Sequence, residues 1–126
     1  MKRTLFEPEH DLFRSSYKKF LEQHVAAHHA EWEEQNIVDR GVWVEAGKQG
    51  FLGMAVPEEY GGGGVKDFRY NAIVTEETTF GGYSGIGFTL HNDVVAPYLI
   101  ELTNEEQKQR WLPGFCSGEL ITAIAM

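Results

Sequence analysis

The sequence predicts an all-α fold of about five helices, followed by the start of a β-strand. Apolar residues recur at helical spacing along most of the 126 residues, whereas residues 120–126 form an apolar run rich in β-branched side chains. Between the helical segments, residues 50–64 include a proline and four consecutive glycines, which exclude a helix interior or an ordinary strand there. Together with the apolar run at residues 51–56, they predict a buried connector that turns sharply at a surface. We therefore expect a helical domain over residues 1–119 and the start of a β-strand over residues 120–126.

Composition and charge exclude several classes of function. The formal net charge is −8 and no basic stripe is visible, which argues against a nucleic-acid partner and against an anionic membrane surface. No apolar run is long enough to cross a bilayer, and none follows the basic residues near the start as a secretory signal requires. The single cysteine, Cys116, excludes an internal disulfide and fits a reducing compartment, so we expect a cytoplasmic location.

The first helix is predicted over about residues 8–34. Pro8 is tolerated in a first helical turn, and acidic residues near it suit the helix dipole. Apolar residues then recur at helical spacing, namely Phe13, Tyr17, Phe20, Leu21, Val25 and Trp32. Asn36 and Asp39 are N-cap candidates for a second helix, which can end at Gly47 or Gly50 and has apolar positions Val42, Trp43 and Ala46.

The remaining helices follow the glycine-rich stretch. Asp67 can cap a third helix, whose predicted buried stripe is Phe68, Ala72, Ile73 and Phe80. A fourth helix is predicted from about Ser84, in which Pro97 should produce a kink or mark an early turn. Its apolar residues are Phe88, Leu90, Val94, Val95, Tyr98, Leu99 and Leu102. Residues 103–106 are a cap signal for a short fifth helix that is expected to end at Pro113-Gly114.

The predicted strand over residues 120–126 is alone in the sequence. A lone strand cannot satisfy its backbone groups without a neighbour. We therefore expect these residues to be the N-terminal part of a larger polypeptide, and the alternative is a partner strand from another chain.

Two motifs resemble a metal site and a catalytic nucleophile, but both have simpler structural explanations. His24, His28 and Glu31 have a spacing that could hold a metal, but no further ligand cluster accompanies them, so a half-buried polar helix edge is favoured and no metal is expected. Ser84 lies in a near copy of a nucleophile elbow, but the second glycine is one position early and no strand precedes it. No catalytic residue is predicted in this chain.

Glycine density marks the junction between the third and fourth helices. Gly81, Gly82, Gly85 and Gly87 are unfavourable there unless backbones approach closely or space is needed. Tight helix packing is the favoured explanation, and the functional alternative is an apolar channel with walls from Phe80, Phe88, Leu90 and Val94. His91 is open to two interpretations in the same way, as a hydrogen-bonding residue between helices or as a cavity wall.

A family resemblance covers essentially the whole chain. Its motifs are Leu52-Gly53 leading into residues 56–62 (Val-Pro-Glu-Glu-Tyr-Gly-Gly), Glu76-Glu77 followed by His91, residues 104–108 with Trp111-Leu112-Pro113, and Ser117-Gly118-Glu119. In order and spacing these motifs resemble the N-terminal region of the acyl-CoA dehydrogenases. The opening residues 8–14 and the segment 46–50 look most like the long-chain-type members.

The resemblance implies an activity and a cofactor. Members of the family are FAD flavoproteins that oxidise the α–β bond of a fatty acyl-CoA, with a glutamate base for the α-proton and hydride transfer to the flavin. Their fold has an N-terminal helical domain, a central β-domain and a C-terminal helical bundle. The resemblance therefore implies that residues 120–126 are the first strand of a truncated central β-domain. They are usually tetramers, and they pass electrons to electron-transfer flavoprotein. A eukaryotic member would lie in the mitochondrial matrix.

Residue roles are carried over only where the motifs match. Ile124, Ala125 and Met126 precede the family's flavin motif and are the predicted cofactor contacts. The catalytic glutamate is expected outside this chain, so we expect the piece alone to bind no flavin and to be inactive. The predicted substrate-binding residues, which would wall an acyl tunnel with room left by the glycines, are Phe80, Gly81, Ser84, Gly87, Phe88, Leu90, His91 and Val94. The alternative hypothesis is a stand-alone helical interaction module, or a related subunit that has lost catalysis.

Overall fold

The computed structural model describes residues 3–126, which fold into six α-helices with two π-helical segments and one short 3₁₀ turn. The α-helices are α1 (Pro8–Leu21), α2 (His29–Gln35), α3 (Arg40–Lys48), α4 (Phe68–Phe80), α5 (Ala96–Glu101) and α6 (Glu105–Ser117). The π-helical segments are Glu22–Ala26 and Leu90–Val95, and the 3₁₀ turn is Glu58–Tyr60. The prediction of an all-α fold is confirmed.

The first predicted helix is interrupted, so its prediction as one element was wrong. A π-helical segment follows α1, and a turn at Ala27 and His28 separates it from α2. A π turn inserts an extra residue into the helical repeat, and here no glycine or proline announces it. Asn36 adopts the left-handed conformation at the end of α2 (φ 55°), while Asp39 caps α3 by accepting a hydrogen bond from the Gly41 N–H.

Helix α4 buries only part of the predicted stripe, since Ile73 is fully buried and Ala72 partly buried. Asp67 caps it as predicted, but Phe68 and Phe80 are 65% and 79% exposed, so their predicted burial was wrong. Two polar residues, Asn71 and Glu77, are buried on α4 instead because each has a charged or polar partner on another helical segment. The hydrogen bond from Asn71 to Asp93 reaches the second π-helical segment, and Glu77 pairs with Arg14 of α1.

The C-terminal third also differs in detail from the prediction. The fourth predicted helix is split into a π-helical segment and α5, and Pro97 lies in the first turn of α5, where its missing N–H is tolerated. Helix α6 continues through Pro113 to Ser117, so its predicted end was wrong. Gly118 ends it in the left-handed conformation (φ 78°), and burial of Leu112 and Phe115 offsets the hydrogen bond that the internal proline removes.

Residues 121–126 take no regular secondary structure. Among the described residues no neighbouring strand pairs with them, and this explains why the predicted strand over residues 120–126 is not formed.

The glycine-rich stretch lies at the centre of the fold. Its apolar residues divide between two core clusters: Phe51, Leu52 and Met54 pack with α1–α4, whereas Val56 and Tyr60 pack with α5 and α6. The backbone folds back on itself through hydrogen bonds such as Gly64 N–H to Val56 O at 2.8 Å and Val65 N–H to Met54 O at 2.9 Å. The buried connector predicted from the sequence is therefore present, and it joins the two halves of the core.

Candidate functional site

The second π-helical segment is held against the connector by one buried side chain. Asn92 is 4% exposed; its amide oxygen accepts from the Gly53 N–H at 3.0 Å, and its amide nitrogen donates to the Phe51 carbonyl at 2.9 Å. Both connector groups would otherwise be unpaired inside the protein. Asn92 therefore fixes the place of the neighbouring residues 90–95.

His91 lies beside Asn92 and is fully buried. Its Nε2 is 3.0 Å from the Phe115 carbonyl and its Nδ1 is 2.8 Å from Thr122 Oγ1. The imidazole stacks on the Phe115 ring at 3.6 Å between centroids and meets the edge of Trp43 at 5.1 Å. Of the two sequence-based interpretations, the hydrogen-bonding residue between helices is the one that these contacts describe.

Burial also sets the charge of His91. Loss of solvation disfavours the imidazolium and lowers the pKa of His91 from 6.5 to about 4, although the hydrogen bond to Phe115 acts in the opposite direction. The ring is neutral at neutral pH. Since the Phe115 carbonyl can only accept, the proton lies on Nε2, and Nδ1 accepts from the Thr122 hydroxyl.

An exposed apolar surface runs beside this buried face. Leu90, Val94 and Tyr98 recur every four residues and are 38%, 39% and 59% exposed. We call these three residues the apolar ridge. Exposed apolar side chains grouped on one side of a helix are typical of a surface that meets a ligand or another part of a protein.

The other predicted substrate residues border two small cavities near the C-terminal end of α4, one against α1 and the other against the loop of residues 82–89. Ser84, Gly87 and Phe88 line a cavity of about 250 Å³, and Phe80 and Gly81 line one of about 260 Å³. Tyr83 borders both cavities. Leu90 and Val94 lie on the apolar ridge and His91 in the core, so the structure divides the eight predicted residues among four places.

A further apolar cavity of about 320 Å³ lies between α5, α6 and the C-terminal segment. Its walls are Val95, Leu99, Trp111, Leu120, Thr122 and Ala123. No sequence pattern indicates this cavity, because its walls come from separate segments.

The predicted cofactor contacts, Ile124, Ala125 and Met126, come next in the sequence after the cavity wall at Ala123. All three residues are exposed, and their backbone groups make no hydrogen bond to backbone within residues 3–126.

The carboxylates of α4 are held in ion pairs. Arg14 contacts Glu76 at 3.0 Å and also pairs with Glu77, while Arg3 pairs with Glu76 at 2.6 Å. These arginines lower the pKa of Glu76, although burial acts in the opposite direction. Charged, paired carboxylates of this kind join α1 to α4 and suit a structural role.

His24 and His28, which the sequence suggested as possible metal ligands, do not form a metal site. His24, His28 and Glu31 line a cleft of about 460 Å³ between α2 and α3, but their ligand atoms do not converge. Within residues 3–126, Glu7, Glu9 and His10 form the one group of potential ligands whose atoms lie within 4.8 Å of one another. The ring nitrogens of His10 already contact the Glu7 N–H and Asp67.

The chain matches the family model described as "Acyl-CoA dehydrogenase, N-terminal domain" over residues 7–119. The chain belongs to the acyl-CoA dehydrogenase family. Among curated relatives, the mitochondrial long-chain specific acyl-CoA dehydrogenase of Sus scrofa is 45% identical over 124 residues, which are 98% of this chain and 29% of that protein. The mitochondrial isovaleryl-CoA dehydrogenase of Bos taurus is 34% identical over 121 residues, covering 94% of this chain and 28% of that protein.

Solved acyl-CoA dehydrogenase structures share the fold. The acyl-CoA dehydrogenase of Geobacillus kaustophilus superposes with a TM-score of 0.93 at 44% identity, covering 99% of this chain and 33% of that one. An acyl-CoA dehydrogenase of Bacillus anthracis, solved in complex with FAD, gives a TM-score of 0.73 at 30% identity over 94% of this chain and 20% of that one. The predicted likeness to long-chain-type members is confirmed, and the chain spans about a third of the length of its relatives.

The described helices also bear on membrane association. Each helix within residues 3–126 is too short or too polar to cross a bilayer.

Proposed function

We propose that this chain is the N-terminal helical domain of an FAD-dependent enzyme that introduces a double bond between the α and β carbons of a fatty acyl-CoA. The observation that carries the proposal is the family match over residues 7–119, together with 45% identity to a long-chain specific enzyme. The role of this domain is to provide part of the wall of the acyl-chain site. The catalytic base comes from elsewhere in the enzyme.

The exposed apolar ridge supports the wall role. Leu90, Val94 and Tyr98 present apolar surface that a fatty acyl chain or an apolar neighbouring domain would cover. The cavity bordered by Ser84, Gly87 and Phe88 supplies additional space at the adjacent junction. Covering this surface excludes water, which strengthens the electrostatic interactions needed to remove a weakly acidic proton.

The C-terminal segment has properties that suit contact with a flavin. Ile124, Ala125 and Met126 are exposed, and their backbone N–H and C=O groups are free to pair within the described chain. An isoalloxazine ring offers an apolar face and a polar edge, which such a segment can contact with side chains and backbone respectively. FAD supplies the hydride acceptor when it is bound, and the residues of this chain would hold it rather than react.

The proposal extends to the partners of the enzyme. The substrate is a fatty acyl-CoA, the electron acceptor is electron-transfer flavoprotein, and the assembled enzyme is a tetramer. The curated long-chain relatives are mitochondrial. A eukaryotic source would therefore place the enzyme in the mitochondrial matrix, and a bacterial source in the cytoplasm.

A domain exchange tests the proposal directly. In the Geobacillus kaustophilus acyl-CoA dehydrogenase, the 33% of the chain that matches would be replaced by residues 1–126 of this protein. We expect the purified chimera to show the absorbance bands of bound flavin and to oxidise long-chain acyl-CoA with an artificial electron acceptor. The matched control is the same exchange carrying Leu12→Ala, which changes an exposed residue on α1.

The outcomes separate two functions. Flavin binding and acyl-CoA oxidation by the chimera support the proposed role. A folded chimera that lacks flavin, or that binds flavin without oxidising acyl-CoA, contradicts it and favours a helical interaction module.

A further inference from the structure

The C-terminal segment is attached to the helical domain at very few points. The Leu120 N–H donates to the Gly114 carbonyl at 3.0 Å, just beyond the end of α6. After that, Thr122 Oγ1 bonds to His91 Nδ1 at 2.8 Å, and residues 121–126 make no hydrogen bond between backbone groups within the described chain. The segment is therefore held by the packing of Ile121 against the core and by one side-chain hydrogen bond at Thr122.

Apolar packing anchors the start of the segment but not the residues that follow. Ile121 packs against the core cluster of α1–α4, whereas Ala123 is exposed and borders an open cavity of about 320 Å³. A side chain that faces open space makes few dispersion contacts. Beyond Ile121, the Thr122 hydroxyl is thus the group that holds the segment to the helices.

His91 is suited to act as the fixed end of this contact. Its ring is confined by the stacked Phe115 ring, whose plane lies within 8° of its own, and by the edge of Trp43. The Phe115 carbonyl orients the imidazole by accepting from Nε2, which leaves Nδ1 as an acceptor aimed at Thr122. A buried, oriented acceptor holds a hydroxyl donor in one direction because leaving it unpaired is costly.

We propose that His91 is a positioning residue that fixes the path of residues 120–126 through the Thr122 hydroxyl, and with it the place of Ile124, Ala125 and Met126. The hydrogen bond between Thr122 and His91 is observed in the structure. Its consequence for flavin binding rests on the proposed function.

The test compares two substitutions at Thr122 in the isotopically labelled chain. Thr122→Val keeps the side-chain shape and removes the hydroxyl, whereas Thr122→Ser keeps the hydroxyl and removes a methyl group. We expect backbone order parameters at residues 122 and 123 of about 0.85 in the parent and in Thr122→Ser, and below about 0.6 in Thr122→Val. The nitrogen spectrum of His91 in the parent should show Nε2 protonated and Nδ1 unprotonated.

Two results overturn the inference. Thr122→Val could leave the segment as ordered as the parent, or Thr122→Ser could become mobile while Thr122→Val stays ordered, which would assign the contact to the methyl group. The flavin content of the chimera described above, carrying the same two substitutions, separates this inference from the proposed function. A chimera without flavin in every form contradicts the function alone, and equal flavin content in both variants contradicts the consequence drawn here.

Discussion

Asn92 and Gly53 are joined by a buried hydrogen bond of 3.0 Å although 39 residues separate them in the sequence. The same amide group donates to the Phe51 carbonyl, so a single side chain satisfies two backbone groups of the connector. The connector contributes to both core clusters, and Asn92 holds it against the second π-helical segment. This contact links the centre of the fold to the segment that carries Leu90 and Val94.

Replacing Asn92 with alanine should therefore destabilise the chain strongly. The substitution leaves the Gly53 N–H and the Phe51 carbonyl unpaired in the interior, and each unpaired group costs about 1–3 kcal/mol. We expect a loss of ~2–4 kcal/mol in the free energy of unfolding, measured by urea denaturation. Gln23→Ala, at an exposed helical position, is the control and should change stability by less than about 0.5 kcal/mol. Equal stability of the two variants would show that water replaces the amide at no cost.

Gly47→Ala should destabilise the chain even though alanine is a better helix former. A Cβ at Gly47 in α3 would lie 2.3 Å from the Ser117 carbonyl oxygen, so α3 and α6 would have to move apart. Without that clash the substitution would stabilise the helix by about 1 kcal/mol, whereas overpacking typically costs about 1–3 kcal/mol. Thermal unfolding should show a lower midpoint for Gly47→Ala. The control is Gly85→Ala, whose Cβ would meet Val38 at an ordinary 3.5 Å and should leave the midpoint nearly unchanged.

The helix caps were predictable from the sequence because a cap is a local interaction. Asp39, Asp67 and Asn104 all lie at the predicted N-caps and accept hydrogen bonds from backbone N–H groups two or three residues later. The buried face of α4 was not predictable in the same way. Burial of Glu77 depends on Arg14, a partner 63 residues earlier, and a sequence pattern does not show that such a partner is in reach.

The candidate site was predictable only in part, for the same reason. The sequence indicated the junction after α4 through its glycines, and the structure shows cavities there. The partner of His91 could not be predicted because Thr122 follows it by 31 residues in a segment without regular structure. The π-helical segments also lacked a sequence signal, and they change which residues share a face.

Stability should fall on mild acidification because His91 is held neutral. The pKa of His91 is lowered to about 4 in the folded state against 6.5 in the unfolded chain, so the unfolded chain binds more protons between these pH values. The contribution of His91 to the free energy of unfolding is therefore fully present above about pH 6.5. It decreases by ~3 kcal/mol as the pH falls towards 4. Urea denaturation at several pH values measures this slope. His91→Asn should be less stable at neutral pH but should lose most of the slope, and the exposed His28→Asn should retain it.

Narrowing the cavity at Ser84 should shift the substrate preference of the complete enzyme towards shorter acyl chains. Gly87 is a poor site for this test, because its φ of 69° would strain any larger residue. Ser84 is exposed and borders the same cavity of about 250 Å³, so Ser84→Phe can fill it without a strained backbone. Each methylene that loses its contact costs about 0.8 kcal/mol.

Excluding two or three methylenes from the cavity therefore costs ~2 kcal/mol, or a fall of ~30-fold in kcat/KM for long chains relative to short ones. The measurement is a series of acyl-CoA substrates of increasing length, assayed with the chimera and with its Ser84→Phe form. Leu12→Phe adds the same ring at an exposed position on α1 that borders none of the cavities described, and it should leave the length profile unchanged. An identical profile for Ser84→Phe would remove this cavity from the acyl-chain site, whereas a uniform loss at every chain length would indicate a general disturbance of the fold.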